Sequence, residues 1–410
     1  MKGESPLMRS PGDSKVAQRF LFLFSDTGGG HRASAQAVKD EMHRLYGASV
    51  SVEMVDVFVE LDRWPFSDLP ELYPVMMGLK GIPWGMWFHL SDSLKSVKTL
   101  SKLLWPYVKS SLCEVLRNHP ADAIISFHPV PNYALTLSLR ALGWPTPLAI
   151  VAVDLVTVHA GWFVPGGELY TVPTESARER ALHWGVSAQS LEVTGMPIRR
   201  GFVEAMTLPQ PAARQQLGLP LKKPIVLMMA GGEGMGPLPG VVRAVSERVP
   251  DAQLVAIAGR NRELYEELRA LSVPASLRVE GFVSNMEIWM RAADILVTKA
   301  GPNTLAEAFV TGLPIVLYTA LPGQEEGNVT YVVENHAGVW ASEPGRAARE
   351  VQSLVRSPRR REAMAARSQA IGKPDATERI ARYLSSLTVE RVPGHVIPWS
   401  PGRTSWVYPS

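Results

Sequence analysis

Twice in this chain a short apolar run ends in a glycine-rich turn and then gives way to apolar residues at helical spacing. The first instance is Arg19-Phe-Leu-Phe-Leu-Phe-Ser25, then Asp26-Thr-Gly-Gly-Gly-His31, then Ala33, Ala37, Val38, Met42 and Leu45. The second is the run 225–229, the turn 231–236 and a segment that Pro237 is suited to start as a helix. An unbroken apolar run fits a strand buried on both faces of a parallel sheet, and recurrence at every third or fourth position fits an amphipathic helix. Parallel strands need crossovers, so each unit of strand, glycine loop and helix calls for more of its kind around it.

The rest of the chain supplies them. Further strands are expected at 50–56, 122–127, 148–154 and 191–193 in the first half, and at 253–258, 277–279, 294–298 and 315–318 in the second, with helices between several of them. Helices at 358–371 and 375–387 end the pattern. The stretch 207–223, rich in Pro, Gln and Lys, reads as a linker. With 410 residues, too many for one ordinary core, the expectation is two doubly wound α/β domains, 19–206 and 224–387, facing a cleft. Residues 1–18 are polar and lack the apolar centre of a secretory signal, so they read as a disordered leader. The tail 388–410, with Trp399, Trp406 and Tyr408, has no role that its residues assign.

Composition narrows the function by exclusion. A net charge of +3 over this length makes no case for nucleic acid. The single cysteine, Cys113, can form neither an internal disulfide nor a cysteine-rich zinc site. The stretch 72–90 is apolar enough to suggest a membrane span, but Lys80, Pro74, Gly78, Gly81, Pro83 and Gly85 interrupt it. The neighbouring segment fits a membrane surface instead. Leu94, Val97, Leu100, Leu104 and Val108 share one helical side while Lys95, Lys98, Lys102 and Lys109 share another, and Trp84, Trp87 and Phe88 just upstream suit the headgroup boundary of an anionic membrane. The competing reading is a helix packed on its own domain with a solvated lysine face.

Both glycine loops aim backbone N–H groups and the positive end of a helix dipole at an anion. Neither is a Walker loop, and neither has the dinucleotide spacing. Taken with Gly195-Met-Pro-Ile-Arg199, Lys299-Ala-Gly-Pro302 and Gly323-Gln-Glu-Glu-Gly-Asn328, the loops Ser25-Asp-Thr-Gly-Gly-Gly-His-Arg-Ala-Ser34 and Gly231-Gly-Glu-Gly-Met-Gly236 carry a family likeness. The chain resembles the monogalactosyldiacylglycerol synthases and bacterial diacylglycerol glucosyltransferases of glycosyltransferase family 28. The resemblance spans roughly 20–385 and implies the GT-B architecture of two Rossmann-like domains, with a lipid acceptor on the N-terminal half and UDP-galactose or UDP-glucose mainly on the C-terminal half. Asn303 departs from it, standing where the family usually has glycine.

The resemblance also implies roles. His31 stands at the family's base position, with capping of the following helix as its alternative, and Asp154 and His128 are second choices at the same sheet edge. Gly29, Gly30 and Pro197 belong to the acceptor-side loops. On the donor side, the amides of Gly231, Gly232, Glu233, Gly234, Met235 and Gly236 and the cation of Arg260 would meet the diphosphate. Lys299, Gly301, Pro302, Asn303 and Thr304 form the motif before Glu307, the expected ribose carboxylate. Gln324, Glu325 and Asn328 are expected at the sugar, and the backbone of Phe282 and Val283 at the uracil. No Asp-x-Asp pair occurs, so no metal is expected. The expected reaction is inverting transfer of galactose or glucose to 1,2-diacylglycerol by a cytoplasmic enzyme peripheral on the inner face of the cell membrane. A different lipophilic acceptor, or a membrane-docked scaffold that binds UDP without turnover, are the alternatives.

Overall fold

The computed structural model describes residues 17–26, 29–64, 68, 82–232, 234 and 236–387. The expected leader before residue 17, the tail after 387 and the segment 72–81 lie outside the described residues, as do Thr27 and Gly28 of the first loop and Glu233 and Met235 of the second.

Two six-stranded parallel sheets form the two halves. The first runs β2 (Val50–Asp56), β1 (Gln18–Phe24), β3 (Ala123–Ser126), β4 (Leu148–Val151), β5 (Leu169–Val172), β6 (Leu191–Val193). The second runs β12 (Gly338–Trp340), β11 (Ile315–Thr319), β10 (Ile295–Lys299), β7 (Ile225–Met229), β8 (Gln253–Ile257), β9 (Ser276–Glu280). Central strands are buried throughout, which is why they read as unbroken apolar runs: Phe22 and Leu23 of β1 are both 0% exposed. Burying such a side chain contributes about 1.5–3 kcal/mol, and Phe22→Ala would cost about 3–5 kcal/mol.

Strand order reverses beside β1 in the first sheet, with β2 on one side and β3 on the other. In the second it reverses between β7 and β10. Open α/β sheets leave a crevice at the carboxyl ends of strands at such points. The glycine loops therefore sit at the two places where this architecture binds ligands.

Two crossings join the halves. Gly195, in the left-handed region at φ 97°, passes so close to the second crossing that a Cβ on it would lie 2.6 Å from Cβ of Lys373. Beyond it the Ile198 amide donates to Thr377 Oγ1 at 2.9 Å, and that hydroxyl donates to the Ile198 carbonyl at 2.7 Å. The last helix, Ala376–Ser385, then returns to pack on helix Gly30–Tyr46 of the first half, with Ser385 Oγ donating to Tyr46 Oη at 2.7 Å.

β5 and β12, four and three residues long, are strands that the sequence reading did not include. The expected linker holds a short helix, Gln210–Gln216, whose buried Arg214 pairs with Asp294 at 2.8 Å.

Candidate active site

β1 ends at a turn in which Gly29 takes the left-handed conformation, φ 72°, ahead of helix Gly30–Tyr46. The turn points His31, on the helix's first turn, back over the end of β3. There His31 Nδ1 lies 2.7 Å from the carbonyl oxygen of Phe127. A carbonyl only accepts, so Nδ1 carries the proton and Nε2 the lone pair. Burial pushes the His31 imidazole down to about 4, against the opposing influence of the Phe127 carbonyl and the charge of Asp56. His31 is therefore neutral at physiological pH.

The two second choices are placed differently. His128 packs against His31 with ring centroids 4.5 Å apart and planes tilted by 57°, but it is 5% exposed and accepts the Val130 amide on Nδ1 at 3.3 Å. Burial and the neighbouring His31 hold it well below the usual histidine range. It stands behind His31 rather than on the cleft wall. Asp154 does reach the cleft, yet both its oxygens are engaged: Oδ2 accepts Trp162 Nε1 at 2.7 Å and Oδ1 accepts Gln324 Nε2 at 3.0 Å. Burial raises its pKa.

Across a cavity of about 400 Å³ stands the second half. Gly231 (φ 76°) and Gly232 follow β7, and a Cβ on Gly231 would lie 2.9 Å from Cε of Lys299. Lys299, at the end of β10, is held by Glu325 at 2.7 Å, whose other oxygen accepts the Leu321 amide at 2.9 Å. Arg260 stacks over the ring of Phe282, with its guanidinium carbon 4.6 Å from the centroid. Phe282 is 60% exposed, unusual for a phenylalanine. Val283, Gly301, Pro302, Thr304, Glu307 and Gln324 complete that wall. Asn303 crosses it, its Nδ2 lying 3.3 Å from the Gly30 carbonyl and 3.1 Å from Ser34 Oγ.

Glu307 faces the cavity, and burial pushes its carboxyl up to about 8, with nearby Arg199 opposing and Glu287 adding to the rise. Arg199 also lines the cavity, donating to the Ser284 carbonyl at 2.6 Å and to Glu287 at 3.0 Å. Its motif was visible in the sequence, but its contact with the donor half was not. Ser284, Met286 and Val153 are further wall residues without a sequence signal.

Besides His128, four expected site residues lie off the cavity wall. Asn328 is 2% exposed and donates to the Ala300 carbonyl at 2.9 Å, bracing the loop before Gly301 rather than reaching a sugar. Pro197 is buried in the inter-half crossing. Gly234 and Gly236 hold positive φ inside the loop but do not line the cavity, and a Cβ on Gly234 would lie 2.5 Å from the Ala258 carbonyl.

Beside the cleft runs an apolar groove of about 320 Å³, walled by Val97, Leu100, Leu104 and Val108 of helix Leu94–Asn118, by Leu61, and by Pro129, Val130 and Pro131 just after His128. The apolar stripe of the basic helix thus faces this groove, while Lys95 and Lys102 are exposed and Lys98 is partly so. Trp87 and Leu90 line it and are 49% and 74% exposed, and Met86 and Leu103 on the same two helices are 62% and 75% exposed. Of the three aromatics expected at a headgroup boundary, only Trp87 is there. Phe88 is 5% exposed against His159, and the indole of Trp84 turns to Gln324. They are spaced four apart on helix Ile82–Ser91, which puts them on the face away from Met86 and Leu90. Among the described residues no helix is long and apolar enough to cross a membrane, and no group of three or more His, Cys, Asp or Glu is placed to hold a metal ion.

Residues 31–198 match the family described as monogalactosyldiacylglycerol (MGDG) synthase, and residues 225–380 match the glycosyltransferase family 28 C-terminal domain. Monogalactosyldiacylglycerol synthase 2 of Arabidopsis thaliana is 35% identical over 388 residues, covering 91% of this chain and 81% of that protein. The synthase of Spinacia oleracea is 33% identical over 386 residues, covering 92% and 73%. Both are chloroplastic, which overturns the expectation of a cytoplasmic protein on the inner face of a cell membrane. Among solved structures, UDP-GlcNAc 2-epimerase from Neisseria meningitidis bound to UDP-GlcNAc superposes with a TM-score of 0.60 at 16% identity, covering 90% of this chain and 100% of that one. MurG of Acinetobacter baumannii does so with 0.56 at 14%, covering 90% and 99%. At such identities the likeness is one of fold: two Rossmann-like domains in the GT-B arrangement.

Proposed function

This chain belongs to the monogalactosyldiacylglycerol synthase family of glycosyltransferases, and from that premise we propose that it moves galactose from UDP-galactose to the free hydroxyl of 1,2-diacylglycerol, with inversion. Transfer from a UDP-sugar to diacylglycerol comes with the family; the choice of galactose over glucose rests on the names of the relatives.

One observation carries the reading at the level of residues. His31, on the first half, holds Nδ1 on the Phe127 carbonyl, which leaves Nε2 with the lone pair, and it lines a cavity whose far wall holds the Gly231 loop, Lys299 and Arg260. Nε2 accepts the acceptor's proton as that oxygen attacks the anomeric carbon from the side opposite UDP, so a single displacement inverts the centre. The charge growing on the departing diphosphate meets the amides of the glycine loop before helix Leu238–Arg248 and the cations of Lys299 and Arg260, without a metal. Glu307 accepts the ribose hydroxyls, and the backbone of Phe282 and Val283 meets the uracil. The groove after His128 suits acyl chains, and Lys95, Lys98 and Lys102 on another side of the same helix suit anionic lipid.

The test is incubation of the purified protein with dispersed diacylglycerol and UDP-galactose or UDP-glucose, followed by mass spectrometry and anomeric NMR of the lipid. The expected product is β-galactosyldiacylglycerol. A product from UDP-glucose alone would reassign the donor, and sugar release without any glycolipid would overturn transfer altogether.

A further inference from the structure

Helix Ile82–Ser91 has two faces with different neighbours. One carries Met86, Trp87 and Leu90 outward. The other lies on the loop of the second half that leads into Gln324. A Cβ on Gly85 would stand 2.8 Å from Cβ of Pro322, and one on Gly323 would stand 3.1 Å from the ring of Phe88. At the end of this contact Trp84 Nε1 donates to Gln324 Oε1 at 3.1 Å, Gln324 Nε2 donates to Asp154 Oδ1 at 3.0 Å, and Trp162 Nε1 fixes the other oxygen of Asp154 at 2.7 Å.

This relay settles the orientation of an amide. Gln324 stands on the wall of the donor cavity, but the groups that hold its two ends come from the first half. A donated indole N–H allows only the carbonyl end of Gln324 to face Trp84, which leaves the NH₂ for Asp154 and the cavity. We propose that Trp84 is a positioning residue: through Gln324 it couples engagement of helix Ile82–Ser91 with a lipid surface to binding of the sugar of the donor. This rests on the donor-site reading given above. The coupling requires that a surface burying Met86, Trp87 and Leu90 together bind the helix better when it is docked than when it is undocked; the docked helix is the one that orients Gln324. On the donor-site reading Gln324 serves the hexose rather than the nucleotide, so the lipid surface tightens UDP-sugar and leaves UDP alone. By reciprocity UDP-sugar tightens the lipid surface equally.

The experiment measures dissociation constants for UDP-galactose and UDP on the full chain, with and without vesicles of phosphatidylglycerol and phosphatidylcholine that contain no diacylglycerol. Wild type and Trp84→Phe are compared, the variant keeping an aromatic ring and losing only the N–H. For wild type, vesicles should tighten UDP-galactose about 5-fold or more, the lower end of ordinary coupling, and leave UDP unchanged. Trp84→Phe should bind vesicles and UDP as wild type does and lose the vesicle effect on UDP-galactose. The same vesicle effect in the variant, or equal tightening of UDP and UDP-galactose in wild type, overturns the inference. Failure of wild type to bind UDP at all would instead refute the donor site itself, and the inference with it.

Discussion

His31 and the Phe127 carbonyl oxygen share a hydrogen bond of 2.7 Å, and this bond decides which nitrogen of the imidazole can take a proton. Nδ1 is committed to the carbonyl, so only Nε2 is available as a base. Burial has also moved the group down to about 4, away from the value near ~6.5 of a free histidine. A group that must be deprotonated to work is ready above its pKa, so the acid limb of kcat/KM should fall well below pH ~6.5, toward 4. His31→Ala should lose turnover by roughly 10²–10⁴-fold, the range for removing a general base. UDP affinity should persist, since the proposed donor contacts lie on the other half. Wild-type glycolipid synthesis by the variant would transfer the role to Asp154, which already reaches the cavity.

Glu307 gives the opposite pH signature. Its carboxyl is pushed up to about 8, chiefly by burial, so below that pH the empty site holds it protonated. Hydroxyls of a ribose donate to a carboxylate and favour its ionised form, so UDP selects the deprotonated state. Affinity for UDP should rise with pH up to about 8 and then level off, with proton release on binding near neutrality. Glu307→Gln should bind more weakly and lose this part of the pH dependence. Calorimetry in buffers of different ionisation enthalpy reads both effects, and a pH profile shared by wild type and variant would remove Glu307 from the ribose site.

A chelator should leave turnover nearly unchanged. In the proposed mechanism the departing diphosphate is met by the amides after β7, by Lys299 held by Glu325, and by Arg260 over Phe282. Rates in EDTA, then with added Mg²⁺ or Mn²⁺, measure this. A loss that the ions restore would place a metal at the diphosphate.

These expectations were legible in the sequence to the extent that they are local. An apolar run followed by glycines marks a strand end wherever it occurs, so the 29–31 and 231–232 turns could be found from their neighbours in the chain, while Lys299 and Glu307 came with the family resemblance of their motif. Partners across the fold leave no such trace. Asn328 sits in the same motif as Gln324, and only packing shows that it braces the Ala300 carbonyl. Trp84, Trp87 and Phe88 are alike as aromatic residues in a run, and the helix phase separates them only once Gly85 is seen against Pro322. His31 reads as an ordinary histidine until His128 and Trp162 close around it. β5, four residues with Thr171 inside, was not found in the sequence.

The lysines of helix Leu94–Asn118 carry the last prediction, and the structure sharpens it. The apolar side of that helix turns toward the groove, so the helix cannot dock by burying its own stripe. The apolar contact with a bilayer falls instead to Met86, Trp87, Leu90 and Leu103, which are exposed on this helix and on helix Ile82–Ser91. Lys95 and Lys102 are exposed and Lys98 is partly so, leaving their charges to solvent or to headgroups. A lysine near an anionic surface contributes about 1 kcal/mol, so three give roughly 3 kcal/mol, or somewhat over 100-fold in affinity. Salt should erode this share, because the Debye length is only about 8 Å at physiological ionic strength. Lys95→Glu, Lys98→Glu and Lys102→Glu together should therefore abolish the preference for phosphatidylglycerol vesicles over neutral ones, while Trp87→Ala and Leu90→Ala should weaken binding to both. Cosedimentation across a salt series separates the two contributions. Equal binding of wild type and the triple variant to anionic and neutral vesicles would mean that the lysine face is merely solvated.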